Sequence, residues 1–217
     1  MDIEQARYNM VEQQIRPWDV LNQEVLDLLF KVRREDFVPE AHRALAFVDM
    51  EIPLGHGQAM WTPKLEARVL QELAIRPTDR VLEIGTGSGY LTALLAVEAA
   101  EVVSVDIHAD FSRAAAEKFR AHGFTNIVLH TADAAHGWPD GAGFDVIVLT
   151  GSTPLLADAF RQQLRVGGRL FAITGVAPVM QAQLFTCTAP GAFRSVTLFE
   201  TCVAPLVNAP HPSAFTF

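Results

Sequence analysis

The stretch VLEIGTGSGY, residues Val81 to Tyr90, decides the fold. An apolar run meets three glycines at alternate positions, Gly85, Gly87 and Gly89, and then a helix-forming segment. A strand that turns through glycines into a helix forms a loop able to lie against a ligand. The dinucleotide fingerprint is G-x-G-x-x-G, with its third glycine one residue later than here. Glu83 stands two residues before the first glycine. A carboxylate there is a poor neighbour for a pyrophosphate and a good one for a ligand carrying an ammonium and a sulfonium. S-adenosyl-L-methionine carries both, and its own carboxylate can use backbone N–H groups near a helix start.

Around this loop, short β-branched runs alternate with helical ones. RVLEIG (80–85), EVVSVD (101–106), NIVLH (126–130), FDVIVLT (144–150) and GGRLFAIT (167–174) read as strands. Segments 89–98, 109–122 and 155–165 read as the intervening helices. Such alternation predicts parallel strands with helices on both faces. QAQLFTCT (181–188) and SVTLFETCVAPL (195–206), separated by a turn-rich stretch, predict an antiparallel pair at one sheet edge. Upstream, 3–15, 21–32 and 63–74 have helical spacing, the last opening with Thr62 as cap and Pro63 at the first position. The segment between Arg33 and Gly55 reads as a connector broken by Pro39 and Pro53.

Two further acids follow from this layout. Asp106 closes the second strand, where a carboxylate can accept from ribose hydroxyls. Asp133, after the third strand in HTADA, is placed to reach an adenine amino group. The seven histidines are scattered and show no ligand spacing, so no metal site is expected. The net charge of −8 disfavours sequence-independent binding to nucleic acid. No run reaches the ~18 to 20 apolar residues of a membrane helix, and the first residues lack a signal pattern, so a cytoplasmic protein is expected. Cys187 and Cys202 are expected as packing residues.

The chain also resembles the protein-L-isoaspartate O-methyltransferases from about Met10 to Leu206. VLEIGTGSGY is close to that family's cofactor motif, and MVEQQI (10–15), REDFVPE (34–40), GHGQ (55–58), FDVIVLTG (144–151), QLRVGGRL (163–170) and CVAPLV (202–207) resemble its blocks. The resemblance implies a doubly wound, mostly parallel seven-stranded Rossmann-like α/β sheet with an N-terminal helical extension. It implies one domain, divided into 1–79 (helices and substrate loop), 80–207 (cofactor core) and a tail, 208–217, trailing over the surface. It further implies a cytosolic monomer that methylates isoaspartyl carboxylates in protein or peptide substrates. The cofactor site would comprise Gln58, Ala59 and Met60; Glu83, Gly85, Thr86, Gly87, Ser88 and Gly89; Asp106 and Ile107; and Asp133 and Ala134.

The substrate loop departs from the family pattern G-x-G-Q-T-I-S-x-P-H. Here it reads GHGQAMWTPK, with Ala59, Met60, Trp61 and Lys64 replacing threonine, isoleucine, serine and histidine. The family serine helps to hold the substrate carboxylate. Its replacement leaves three readings of Trp61: a core residue, a wall of the cofactor pocket, or a stacking surface for another acceptor, small molecules included. A cofactor-binding protein without turnover is also consistent with this loop. Thr62 and Lys64 offer a hydroxyl and a cation nearby, although Thr62 equally suits the helix cap. Ser152 is expected to cap the helix after the fourth strand.

Overall fold

A computed structural model describes residues 2–139 and 143–212. The central sheet has seven strands in the order β5-β4-β3-β6-β7-β8-β9. They are β3 (Arg80–Ile84), β4 (Glu101–Asp106), β5 (Ile127–Thr131), β6 (Phe144–Thr153), β7 (Leu164–Val176), β8 (Val179–Ala189) and β9 (Ala192–Thr201). The five strands β3 to β7 are parallel, and β8 and β9 run antiparallel at one edge. This is the mostly parallel seven-stranded sheet that the alternating pattern and the resemblance imply.

The strands are apolar on both faces because helices cover both. Neighbouring residues sort to opposite sides: Val81, Val102 and Val146 join one apolar cluster, and Leu82, Val103 and Ile147 the other. The period of two along each strand thus builds two cores around one sheet. Helix α4 (Tyr90–Glu98) is buried nearly all round. Helix α5 (Ala109–Ala121) buries Phe111, Ala115 and Phe119, spaced one helical turn apart.

The N-terminal region packs over the first cluster. Helices α1 (Ile3–Asn9) and α2 (Gln23–Lys31) are joined by a wide π-helical turn, Met10–Ile15, and a short 3-10 turn. Two buried ion pairs, Arg7–Glu35 and Arg34–Glu66, fasten this region internally and to helix α3 (Pro63–Leu73). The connector holds an element that its prolines and glycines concealed. Residues Ile52–Gly55 (β1) and Gln58–Met60 (β2) form a two-stranded hairpin. At the chain's other end, residues 203–207 return beside β6, where the Ser152 amide donates to Ala204 O (3.0 Å) and the Leu206 amide to Ser152 O (2.9 Å).

Several expectations are revised. The helix expected over 155–165 is one short turn, α6 (Asp158–Gln162). Ser152 caps no helix: it lies inside β6, fully buried, with its hydroxyl donating to Val203 O at 3.0 Å. Cys187 is buried as expected, but Cys202 is exposed and both thiols are free. The described part of the tail is anchored rather than trailing: Asn208 Nδ2 donates to Asp133 Oδ2 at 2.7 Å, and Ala209 is buried. Residues 213–217 lie outside the described residues.

Candidate active site

The order of the sheet sets the location. The chain proceeds from β3 outward through β4 and β5, then returns to place β6 and β7 on the other side of β3. Ligands in such sheets bind beyond the carboxyl ends of the strands at this reversal. A cleft of about 580 Å³ opens there, and a second, inner cavity of about 330 Å³ adjoins it. Leu54, Ala59, Gly85, Gly87 and Thr150 are walls of both.

The glycine loop separates the two cavities, and its shape has a steric cause. Gly85 has φ +102°, and a Cβ there would lie 2.1 Å from Thr150 Oγ1. That hydroxyl itself sits 2.7 Å from the Gly85 carbonyl and 2.9 Å from the Ile84 carbonyl. Gly89 serves packing rather than the cavities. It has φ +83° at the start of α4, and a Cβ would lie 2.9 Å from the Phe119 ring. Thr86 and Ser88 line the inner cavity.

Asp106 braces the loop. One oxygen accepts the Gly87 amide and the other the His108 amide, both at 2.8 Å. Each oxygen keeps a further acceptor position, and the carboxylate lines the outer cleft. Ile107, Asp133 and Ala134 line the same cleft, as do Gln58 and Ala59 of the hairpin. Asp133 accepts from the Ala135 amide (3.0 Å) as well as from Asn208.

Glu83 lies beneath the loop with 0% exposure, and lines the inner cavity. Oε2 accepts from the hydroxyls of Thr92 and Ser104, while Oε1 has no partner among the described residues. Burial lifts this carboxyl to about 8, against the pull of the two hydroxyls. It is therefore a neutral acid at pH 7, with Oε1 able to carry the proton. A cation in the inner cavity would draw that proton off.

Within the substrate loop, Met60 and Trp61 line the inner cavity. Of the three readings left open above, Trp61 takes the first: it packs in the core, 5% exposed, and it also lines the inner cavity. Thr62 does not face the site: it caps α3, accepting from the Leu65 amide at 3.4 Å. Lys64 is turned away, paired with Asp49 at 2.6 Å beside the Trp18 ring. Behind Trp61, the Arg34 guanidinium donates to Trp61 O (2.7 Å), Ala46 O (3.0 Å) and Glu66. Burial pushes Glu66 up to about 8 against the opposing pull of Arg34.

The fold also gathers His56, His108 and Asp110 at the rim, with ligand atoms within 4.8 Å of one another. The two imidazoles stack face to face, 4.1 Å apart and 8° from parallel. Their in-plane lone pairs run side by side and do not converge on an ion. His56 instead clasps the hairpin to α5 through Asp110 at 3.0 Å. Leu54, His108, Phe111, Thr150, Leu206 and Val207 are walls that carried no separate signal in the sequence.

Four acids, Glu66, Glu83, Asp106 and Asp133, line the two cavities, and no lysine or arginine does among the described residues. Asp106 and Asp133 on the outer cleft would repel a pyrophosphate, and Glu83, neutral until a cation approaches, can ionise to receive a sulfonium or an ammonium. The unpartnered Glu83 Oε1 fits the same ligand.

The comparisons agree. The family model for protein-L-isoaspartate(D-aspartate) O-methyltransferase matches residues 5–208. A protein-L-isoaspartate O-methyltransferase of Methanoculleus marisnigri is 38% identical over 202 residues, covering 93% of this chain and 91% of its own. A protein-L-isoaspartate O-methyltransferase 2 of Marinobacter nauticus is 37% identical over 183 residues, 84% of each chain. In fold, the chain is similar to a beta-aspartate methyltransferase from Plasmodium falciparum crystallised with S-adenosyl-L-homocysteine (TM-score 0.80, 18% identity, 91% of this chain and 96% of that one). This chain belongs to the protein-L-isoaspartate(D-aspartate) O-methyltransferase family.

Proposed function

We propose that the chain transfers a methyl group from S-adenosyl-L-methionine to the free carboxylate of isoaspartyl residues in peptides and proteins. One observation carries this beyond family membership: the acid-lined, cation-free cleft joins an inner cavity bounded by the substrate loop. The cofactor, when bound, supplies an electrophilic methyl on a sulfonium.

The acceptor carboxylate is already ionised at pH 7, so no general base is required. The protein's task is to align it and strip its water. Met60, Trp61 and Leu91 give the inner cavity an apolar wall. Asp106 fixes the Gly87 amide, and with it the course of the loop. The family's serine hydroxyl is absent at Trp61, so carboxylate recognition falls to backbone N–H groups. On the strength of the family, we read the protein as a cytoplasmic monomer. Among the described residues no helix is long and apolar enough to cross a membrane.

The test is transfer of labelled methyl to an isoaspartyl peptide and to its aspartyl twin. Label should appear in the first only. Labelling of neither, with cofactor bound, would overturn the assignment of substrate.

A further inference from the structure

We propose that Lys118 is a positioning residue for the cofactor loop: its ammonium clamps the Ser88 carbonyl to the Phe37 carbonyl, and this clamp sets cofactor affinity. The proposal rests on the assignment of the cleft to S-adenosyl-L-methionine.

Lys118 lies in the last turns of α5, its side chain largely buried. Nζ donates to Phe37 O at 2.7 Å and to Ser88 O at 3.0 Å, and stands 5.8 Å from the Phe37 ring centroid. These carbonyls belong to different parts of the chain. Phe37 is in the N-terminal segment, fully buried against Tyr90 and Phe119. Ser88 is in the glycine loop and lines the inner cavity. The next amide, Gly89 N–H, is committed to Thr86 O at 2.9 Å. Holding the Ser88 carbonyl therefore fixes the plane of the Ser88–Gly89 peptide and the course of the loop around it.

Its place in the last turn of α5 suits a cation, but that does not account for the reach to Ser88, which precedes the N-terminus of α4, the end of a helix that disfavours a cation. Nor does an ion pair explain it. On the adjoining N-terminal segment, Asp36 is engaged with Arg43 and His122, and Glu35 with Arg7. Helix α5 brings Glu117 and, just past its end, His122; α4 brings Tyr90, the loop 85–89 has no ionisable side chain, and Glu83 lies beneath it. Among the described residues no carboxylate comes within 4.0 Å of Nζ. Burial without a counter-charge pushes the amine down to about 8. What the charge does provide is strength: a hydrogen bond from an ionised donor is roughly twice as strong as a neutral one.

The measurement is the Kd for S-adenosyl-L-methionine by calorimetry between pH 6.5 and 9.5, for the wild type, Lys118→Met and Lys118→Arg. At pH 7 the Met variant should bind about tenfold more weakly. That ratio should shrink toward one as the wild-type amine loses its proton. Glu83 and Glu66 titrate in the same window in both proteins and cancel in the ratio. The Arg variant should keep its affinity above pH 8, where the wild type loses this contribution. A ratio near one at pH 7, or one constant across the range, overturns the proposal. Should the Met variant fail to fold by circular dichroism, the comparison of Arg variant and wild type decides: parallel pH profiles overturn the clamp. Failure of the wild type to bind cofactor at all would instead sink the assignment of the cleft, and loss of peptide methylation with normal binding would sink the substrate alone.

Discussion

Trp61 meets Phe171 edge to face, with ring centroids 6.3 Å apart and planes at 71°. The contact ties the substrate loop to the centre of β7, so the indole belongs to the core and to the inner cavity at once. A residue in both settings cannot be exchanged for the family's serine without a structural cost.

Trp61→Ala should therefore lower stability by about 3–5 kcal/mol, through lost burial and an unfilled space. Trp61→Phe, which keeps a ring against Phe171, should cost clearly less. Chemical denaturation of the three proteins checks the order, and equal losses would place the indole outside the core.

Glu83→Gln should change how stability depends on pH. The folded carboxyl titrates at about 8 and the unfolded one near 4.5. Between those values the unfolded chain has lost a proton that the folded chain keeps, so wild-type stability falls as pH rises through that window and levels above it. The amide has no such proton. The variant should gain on the wild type by about 2 kcal/mol or more between pH 5 and pH 8. Its affinity for the cofactor should drop by about tenfold or more, since it cannot ionise for a cation. Thermal melts at both pH values and calorimetry read the two effects.

Asp106→Asn should weaken cofactor binding by roughly 10- to 100-fold, because hydrogen bonds to the ionised group hold the Gly87 and His108 amides. The KM for an isoaspartyl peptide, measured at saturating cofactor, should stay within about twofold, as Asp106 lines only the outer cleft. A larger change in peptide KM would show that the outer cleft also contacts the acceptor.

Asn208→Ala should remove the 2.7 Å bond to Asp133 and loosen the wall formed by Leu206 and Val207. One such bond contributes about 1 kcal/mol, so a fall in cofactor affinity of about fivefold is expected by calorimetry.

The parts of the fold legible in the sequence share a cause. Alternating strand and helix signals come from local periodicity, and the glycine loop from the spacing of Gly85, Gly87 and Gly89. The site was harder to read because walls are set by long-range approach. Thr150 sits inside an apolar strand run, and only its neighbourhood with β3 brings its hydroxyl to Gly85. Glu83 could be placed at the strand's end, but its complete burial depends on Thr92 and Ser104 from two other elements. The hairpin at 52–60 was hidden because Pro53, Gly55 and Gly57 resemble loop punctuation, and its pairing is short and irregular. Lys64 was offered as a site cation and points elsewhere because Asp49, in the connector, captures it.

The return of residues 203–207 beside β6 bears on biosynthesis. Leu206 and Val207 complete the outer wall, yet they are translated after every strand of the sheet. A nascent chain still held on the ribosome short of that point has its glycine loop but lacks a closed cleft. Retention of S-adenosyl-L-methionine should thus coincide with release of this segment, after the sheet itself is complete.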